Sequence, residues 1–119
     1  MRIAHLTDPH LTSLSAVSPF KLAGKRRLGY LSWRYKRRQE HCTTILAEIQ
    51  SAIAAEAPDV IVVTGDLVHI GLAEEIASAA RWLEELNAIS PLVLVPGNHD
   101  CYANDTITHM HQQWSRFLN

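Results

Sequence analysis

The stretch Val60-Ile61-Val62-Val63-Thr64-Gly65-Asp66 decides the fold of this chain. Five β-branched residues in unbroken succession read as a strand buried on both faces, the pattern of a parallel sheet. Gly65 lets the backbone turn sharply, and Asp66 stands at the strand's carboxyl end. Upstream, Cys42, Ile45, Leu46, Ile49, Ala52 and Ile53 recur at helical spacing over 38–57, and Pro58 stops that helix. Downstream, Ile76, Ala80 and Leu83 set a second helix over 73–86. Glu74, Glu75, Glu84 and Glu85 are expected to face solvent there, the first two favoured by the helix dipole. Leu92-Val93-Leu94-Val95 is a further buried strand, running into Pro96-Gly97-Asn98-His99-Asp100. At the amino end, residues 2–7 alternate as a short strand that stops at Asp8-Pro9-His10. Ile107, Met110, Trp114, Phe117 and Leu118 give the tail a helical pattern.

The order β-loop-α-β-α-β-α predicts an α/β fold, a parallel β-α-β-α-β unit with flanking helices. Right-handed crossovers bring the three strand ends to one edge, and open α/β sheets place their sites at that edge. Asp8, His10, Asp66, Asn98, His99 and Asp100 all collect there. Each alone reads as a polar turn residue of the kind that caps strands and helices. Three such motifs at successive strand ends read as a site.

The chain has 119 residues, 47% apolar and 19% charged, which suits one folded domain and excludes a disordered segment. No stretch approaches the roughly 20 apolar residues of a membrane span, and the first residues lack the long apolar core of a secretory signal. A cytoplasmic protein is the expectation. Cys42 and Cys101 are the only cysteines and have no C-x-x-C spacing. Cys42 reads as a small core residue and Cys101 as a bystander beside the last motif. His5 reads as a packed or hydrogen-bonded strand residue, His69 as a loop histidine or as one that lines a pocket beside Asp66, and His41 as surface.

Carboxylates and imidazoles at such an edge suit Mn²⁺, Fe or Zn²⁺ better than Mg²⁺. An aspartate can bridge two metals through its two oxygens, and Asp66, on the middle motif, is the natural bridge. Asn98 offers a neutral carbonyl oxygen to a second metal. Two divalent ions roughly 3.5–4 Å apart activate a water between them and clamp phosphoryl oxygens. His99 beside Asp100 has the form of a general acid and its orienter, since a carboxylate on one ring nitrogen fixes the tautomer and raises basicity.

On Asp8-Pro9-His10, Gly65-Asp66 and Gly97-Asn98-His99-Asp100, the chain resembles the N-terminal half of a calcineurin-like metallophosphoesterase, over nearly its whole length. The resemblance implies half of an αββα sandwich, with 1–119 the N-terminal part of one domain. It implies that Asp8 and His10 bind one metal, that Asp66 bridges and that Asn98 binds the second. His99 and Asp100 would serve the leaving group and phosphate. The family's later motifs, a lone His and a Gly-His-x-His, are absent. His109 and His111 form a His-x-His without the Gly or the strand, and an i, i+2 pair on a helix diverges. The second sheet is absent too, so the expected partner is the missing C-terminal half of the domain, and an uncovered sheet face predicts self-association.

Net charge is −1, yet eight of the eleven Lys and Arg residues fall between Lys21 and Arg38, interleaved with Tyr30, Leu31 and Trp33. This basic-aromatic insert, about 21–38, reads as a solvated flap, as a lid whose Arg26, Arg27, Arg37 and Arg38 meet a phosphate-bearing substrate, or as a membrane-surface element. Nucleic acid is a further taker for the same cations. The function expected is hydrolysis of a phosphate mono- or diester or a pyrophosphate bond, on a small molecule, nucleotide or lipid headgroup. The rival is a catalytically silent scaffold that acts through its insert.

Overall fold

Three strands, β1 (Ile3–Thr7), β2 (Val60–Gly65) and β3 (Leu92–Pro96), lie parallel in the order β1-β2-β3. The structure, a computed structural model, describes residues 1–11, 24–36 and 43–118. The helices are α1 (Lys25–Lys36), α2 (Thr43–Glu56), α3 (Ala73–Ile89) and α4 (Asn104–Trp114). The predicted element order therefore holds, and the insert contributes a helix of its own. The helix expected over 38–57 begins at Thr43 in the described residues, while His41 and Cys42 lie outside them.

Register pairs Ala4 with Ile61 and Leu6 with Val63 on one side, and Leu92 with Ile61 and Leu94 with Val63 on the other. Those six side chains share one face, because directly paired residues of a parallel ladder point the same way. Against that face pack Ile53 of α2, Ile76, Ala79, Leu83 and Leu86 of α3, and Met110 and Trp114 of α4. Two successive right-handed crossovers that step in the same direction put all their helices on the same side of a sheet. Trp114, wholly buried, donates its indole N–H to the Ile76 carbonyl at 3.0 Å and so fixes α4 on α3. Phe117 follows into the core, and its carbonyl accepts the Leu94 amide at 2.7 Å, so the outer edge of β3 is already paired.

The opposite face corrects the reading of β2 as buried on both sides. Ile61 and Val63 are fully buried, but Val60, Val62 and Thr64 are only half-buried. Ile3 is 56% and Val95 47% exposed on the same bare face. The continuous β-branched run is thus apolar on two faces, and the described residues cover one.

Glu75 is the second correction. Expected on the solvent side of α3, it is buried, and its carboxylate accepts the amides of His69 at 2.7 Å, Ile70 at 3.1 Å and Leu72 at 3.2 Å. It sits at the third position of α3, where a carboxylate reaches back to unsatisfied amides. Here it also gathers the loop that follows β2. Glu74, Glu84 and Glu85 are exposed as expected.

Candidate metal centre

Each strand hands its motif to the next through backbone contact. Beyond β1 the Asp8 amide donates to the Thr64 carbonyl, His10 to that of Asp66 and Leu11 to that of Leu67, so 8–11 runs alongside 64–67 past the end of the sheet. Asp8 and His10 both hold positive φ, 49° and 44°. Such backbone conformations cost non-glycine residues energy and concentrate at functional sites. Gly65, at φ 91°, lies so close to Asp8 that a Cβ there would overlap the Asp8 carboxylate. Gly97 stands in the same relation to Asp66, and its missing Cβ would also fall 2.8 Å from the Gly65 carbonyl carbon. The two glycines let three loops close on one point.

At that point Asp8, His10 and Asp66 each present one donor atom, and the three atoms lie within 4.8 Å of one another. Two carboxylates and an imidazole at that spacing fit a divalent transition metal. Asp8 Oδ1 also accepts the Asp66 amide at 3.1 Å, and its other oxygen takes the Thr7 hydroxyl. Asp66 Oδ1 accepts the His99 amide at 2.8 Å. Among the described residues this is the group of three or more ligand-type side chains that converges. Asn98 stands exposed on the turn after β3, and His109 and His111 on α4 are not part of the group.

His99 completes the arrangement with both ring nitrogens accounted for. Nδ1 lies 2.5 Å from the His69 carbonyl oxygen, to which it can only donate, and this leaves Nε2 to face Asp66, 4.0 Å from Oδ2. The orienter expected from the sequence, Asp100, does something else. Wholly buried, it accepts the amides of Leu67 at 2.8 Å and Val68 at 3.1 Å on one oxygen, and of Gly97 at 2.9 Å on the other. It ties the turn of the third motif to the loop of the second. Desolvation pushes its carboxyl up to about 6, against the pull of the three amides, with the charge of Asp66 adding to the rise.

His69 reads from the sequence as a loop histidine with a place near the pocket open to it. It is buried, its ring stacks on His10 with centroids 5.0 Å apart, and His10 meets His99 edge-on at 5.7 Å. His5 is exposed on β1 and bonds the Thr64 hydroxyl at 2.8 Å. Cys101 is an exposed free thiol, held above its ordinary value by desolvation and then by the charges of Asp100 and Asp66, which makes it a poor nucleophile at neutral pH.

The insert meets the rim through Arg26. Expected among the substrate-facing cations, Arg26 instead grips both oxygens of Asp105, at 2.9 and 2.7 Å. It also donates to the carbonyls of Ile70 and Gly71 and to the Thr106 hydroxyl. The side chain of Arg27, and Arg37 and Arg38 altogether, lie outside the described residues.

A protein-family model for the calcineurin-like phosphoesterases matches residues 1–118. The fold is α/β with a candidate metal-binding group at its rim, and the chain belongs to the calcineurin-like phosphoesterase family. Over 45 residues it is 49% identical to the glycerophosphodiester phosphodiesterase GpdQ of Enterobacter lignolyticus, a stretch that is 38% of this chain and 16% of that protein. Over another such match it is 42% identical to an uncharacterized protein of Acanthamoeba polyphaga mimivirus, 35% of this chain and 3% of that protein. The chain thus matches only a small part of either relative. Among the described residues no helix is long and apolar enough to cross a membrane.

Proposed function

We propose that the rim hydrolyses a phosphoester bond with the help of divalent metal, and that a phosphodiester with a small organic leaving group is its substrate class. The convergence of Asp8, His10 and Asp66 within 4.8 Å, with His99 Nε2 turned toward Asp66, carries this reading. Asp8 and His10 hold one metal ion, Asp66 is the shared ligand, and Asn98 supplies one donor to a second ion. Bound there, Mn²⁺, Fe or Zn²⁺ supplies Lewis acidity and lowers the pKa of the attacking water. His99, with its Nδ1–H fixed on the His69 carbonyl, would protonate the leaving oxygen from Nε2 when the ring carries both protons. The strained backbone at Asp8 and His10 and the two glycines keep these groups in place before substrate arrives. The likeness to a glycerophosphodiester phosphodiesterase supports a diester over a pyrophosphate.

The test is Mn²⁺-dependent hydrolysis of bis(p-nitrophenyl) phosphate, paired with calorimetric Mn²⁺ titration. Asp66→Asn is expected to lower turnover at least about 100-fold and to weaken Mn²⁺ binding, since it removes the charge two ions share. Wild-type Mn²⁺ binding that Asp66→Asn leaves unchanged would refute the site.

A second reading rests on α1, which carries five cations and no acid in the sequence KRRLGYLSWRYK. Leu28 is 70% and Leu31 48% exposed on it. A basic helix with exposed leucines suits an anionic lipid surface, in which case the protein is a peripheral binding module. Sedimentation with phosphatidylserine vesicles that Leu28→Ser/Leu31→Ser abolishes, in a protein without Mn²⁺-dependent turnover, would favour this reading over hydrolysis.

A further inference from the structure

Among the described residues, Tyr102 is the side chain that links helix α1 to the His99 ring. Its ring lies over the His99 imidazole, with centroids 5.7 Å apart and planes 21° from parallel. Its hydroxyl donates to the Lys25 carbonyl at 2.8 Å. The Lys25 ammonium donates back to the Tyr102 carbonyl at 3.1 Å and stands 4.4 Å from the ring centroid. Gly29 is the point of closest approach: a Cβ there would overlap the Tyr102 hydroxyl and fall 2.8 Å from Ile70 Cγ2. Tyr30, one residue on, is buried against Ile70, with Tyr102 and Leu72 packed alongside. Desolvation holds the Tyr102 phenol above its ordinary value, so it remains a donor across the working range of pH.

These contacts bear on His99 because its other restraints do not lie flat against the ring. The hydrogen bond to the His69 carbonyl holds Nδ1 and the crossed His10 ring touches His99 at 5.7 Å, but the imidazole can still rock about that bond, and rocking carries Nε2 off its line to Asp66. A flat neighbour on the ring face removes that freedom, and a group that must donate a proton to a leaving oxygen loses efficiency steeply when misaligned. Tyr102 is the described neighbour whose plane lies nearly parallel to the His99 ring. It is itself held from both ends by α1.

We infer that Tyr102 is a positioning residue for His99, kept in register by the docking of α1 through Lys25 and Gly29, so that the insert sets which leaving groups the site can expel. The inference rests on the reading of His99 as the proton donor. An alkoxide departs only with a proton, whereas p-nitrophenolate departs without one, so misalignment of His99 falls selectively on alkyl esters.

Two variants test it, Tyr102→Leu and Gly29→Ala, with His99→Ala as the reference and circular dichroism as the check of folding. Gly29→Ala keeps the tyrosine and displaces it from a distance, which covers the case in which Tyr102→Leu fails to fold. The first readout needs no metal. Exchange of the His99 Nδ1 proton, followed by NMR in the metal-free protein, is expected to quicken at least about tenfold in both variants. The second is the Mn²⁺-loaded rate on a glycerol phosphodiester with an alkyl leaving group, set against bis(p-nitrophenyl) phosphate. The alkyl rate is expected to fall about tenfold or more in both variants, with the p-nitrophenyl rate changed less than about threefold. A merely structural role would lower both rates together. Should His99→Ala show the split while Tyr102→Leu and Gly29→Ala do not, the inference is overturned and the proton-donor reading stands. Should His99→Ala show no split, or the Mn²⁺-loaded protein turn over neither ester, the proton-donor reading gains no support, and Nδ1 exchange alone decides. Exchange unchanged in both variants overturns the positioning role whatever the rates do.

Discussion

The rim of the sheet and the helix α1 lie side by side and are held by different means. At the rim, carboxylates bind backbone: Asp100 takes three amides, Glu75 takes three more, and Asp66 takes that of His99. The loops close over glycines at 65 and 97, where nothing larger fits. The helix is held by side chains: the Arg26 fork on Asp105 and two carbonyls, Lys25 on Tyr102, and Tyr30 in a small cluster of its own. These amides lie on the loops that follow β2 and β3, and a carboxylate that takes several of them at once ties those loops to each other. Side-chain anchors can let go one at a time. The rim is therefore part of the cooperative core, and α1 is a separable arm laid against it.

The hardest blow to that contrast falls on Asp100. Asp100→Asn sets an amide N–H₂ against amides that need an acceptor, and leaves at least one buried donor unsatisfied. Global stability should fall by about 2–3 kcal/mol, read as a lower urea midpoint at unchanged slope. A midpoint that does not move would mean that the rim is no more bound into the core than the arm is. A smaller effect is expected of Arg26→Gln, which breaks the anchor of α1. Global stability should change by less than about 1 kcal/mol, because one of its partners is an exposed carboxylate. The amides of 25–31 should lose their protection from hydrogen exchange while those of β2 and β3 keep theirs. Loss of protection in both places at once would make the arm and the core a single unit.

Most of this architecture is legible in the sequence, because hydrophobic period and strand-end motifs act locally. Val60–Gly65, with its β-branched run, and the helix at Ala73–Ile89 declare themselves by pattern, and Asp8, His10 and Asp66 by their place at strand ends. Three things escape such reading, two of them long-range. Asp100 looks like the orienter of its neighbour His99, yet the carbonyl of His69, thirty residues away in the chain, takes that part. Glu75 has the composition of a solvent face and turns inward because the loop before it has amides to satisfy. The capping pattern at the third position of α3 was the available signal for it. Arg26 looks like a free cation within a basic run until Asp105, 79 residues on, comes to meet it. A sequence shows which groups carry charge, and only the fold shows which of those charges are already engaged.

Acid should separate the two regions by sign, and this is the finest test of the contrast. The Asp100 carboxyl titrates near 6 in the folded protein against 3.8 for the free group, so between those values the folded state holds more protons than the unfolded one. Stability then rises as pH falls through that window, is complete below 3.8, and is lost as pH climbs back through 6. Asp105 has the opposite shift: its hydrogen bond to Arg26, and then the guanidinium charge, hold its carboxyl below 3.8. Its contribution is complete above 3.8 and disappears as pH falls through the lower folded value. In metal-free protein, the urea midpoint of the wild type relative to Asp100→Asn should therefore increase from pH 7 to pH 4.5. The protection of 25–31 should hold over that range and drop only below about pH 3.8. A wild type and an Asp100→Asn protein with the same pH slope would put the Asp100 charge outside the core. Loss of α1 protection already at pH 5 would mean that the arm does not hang on Asp105, and the contrast would have to be redrawn around its other anchors.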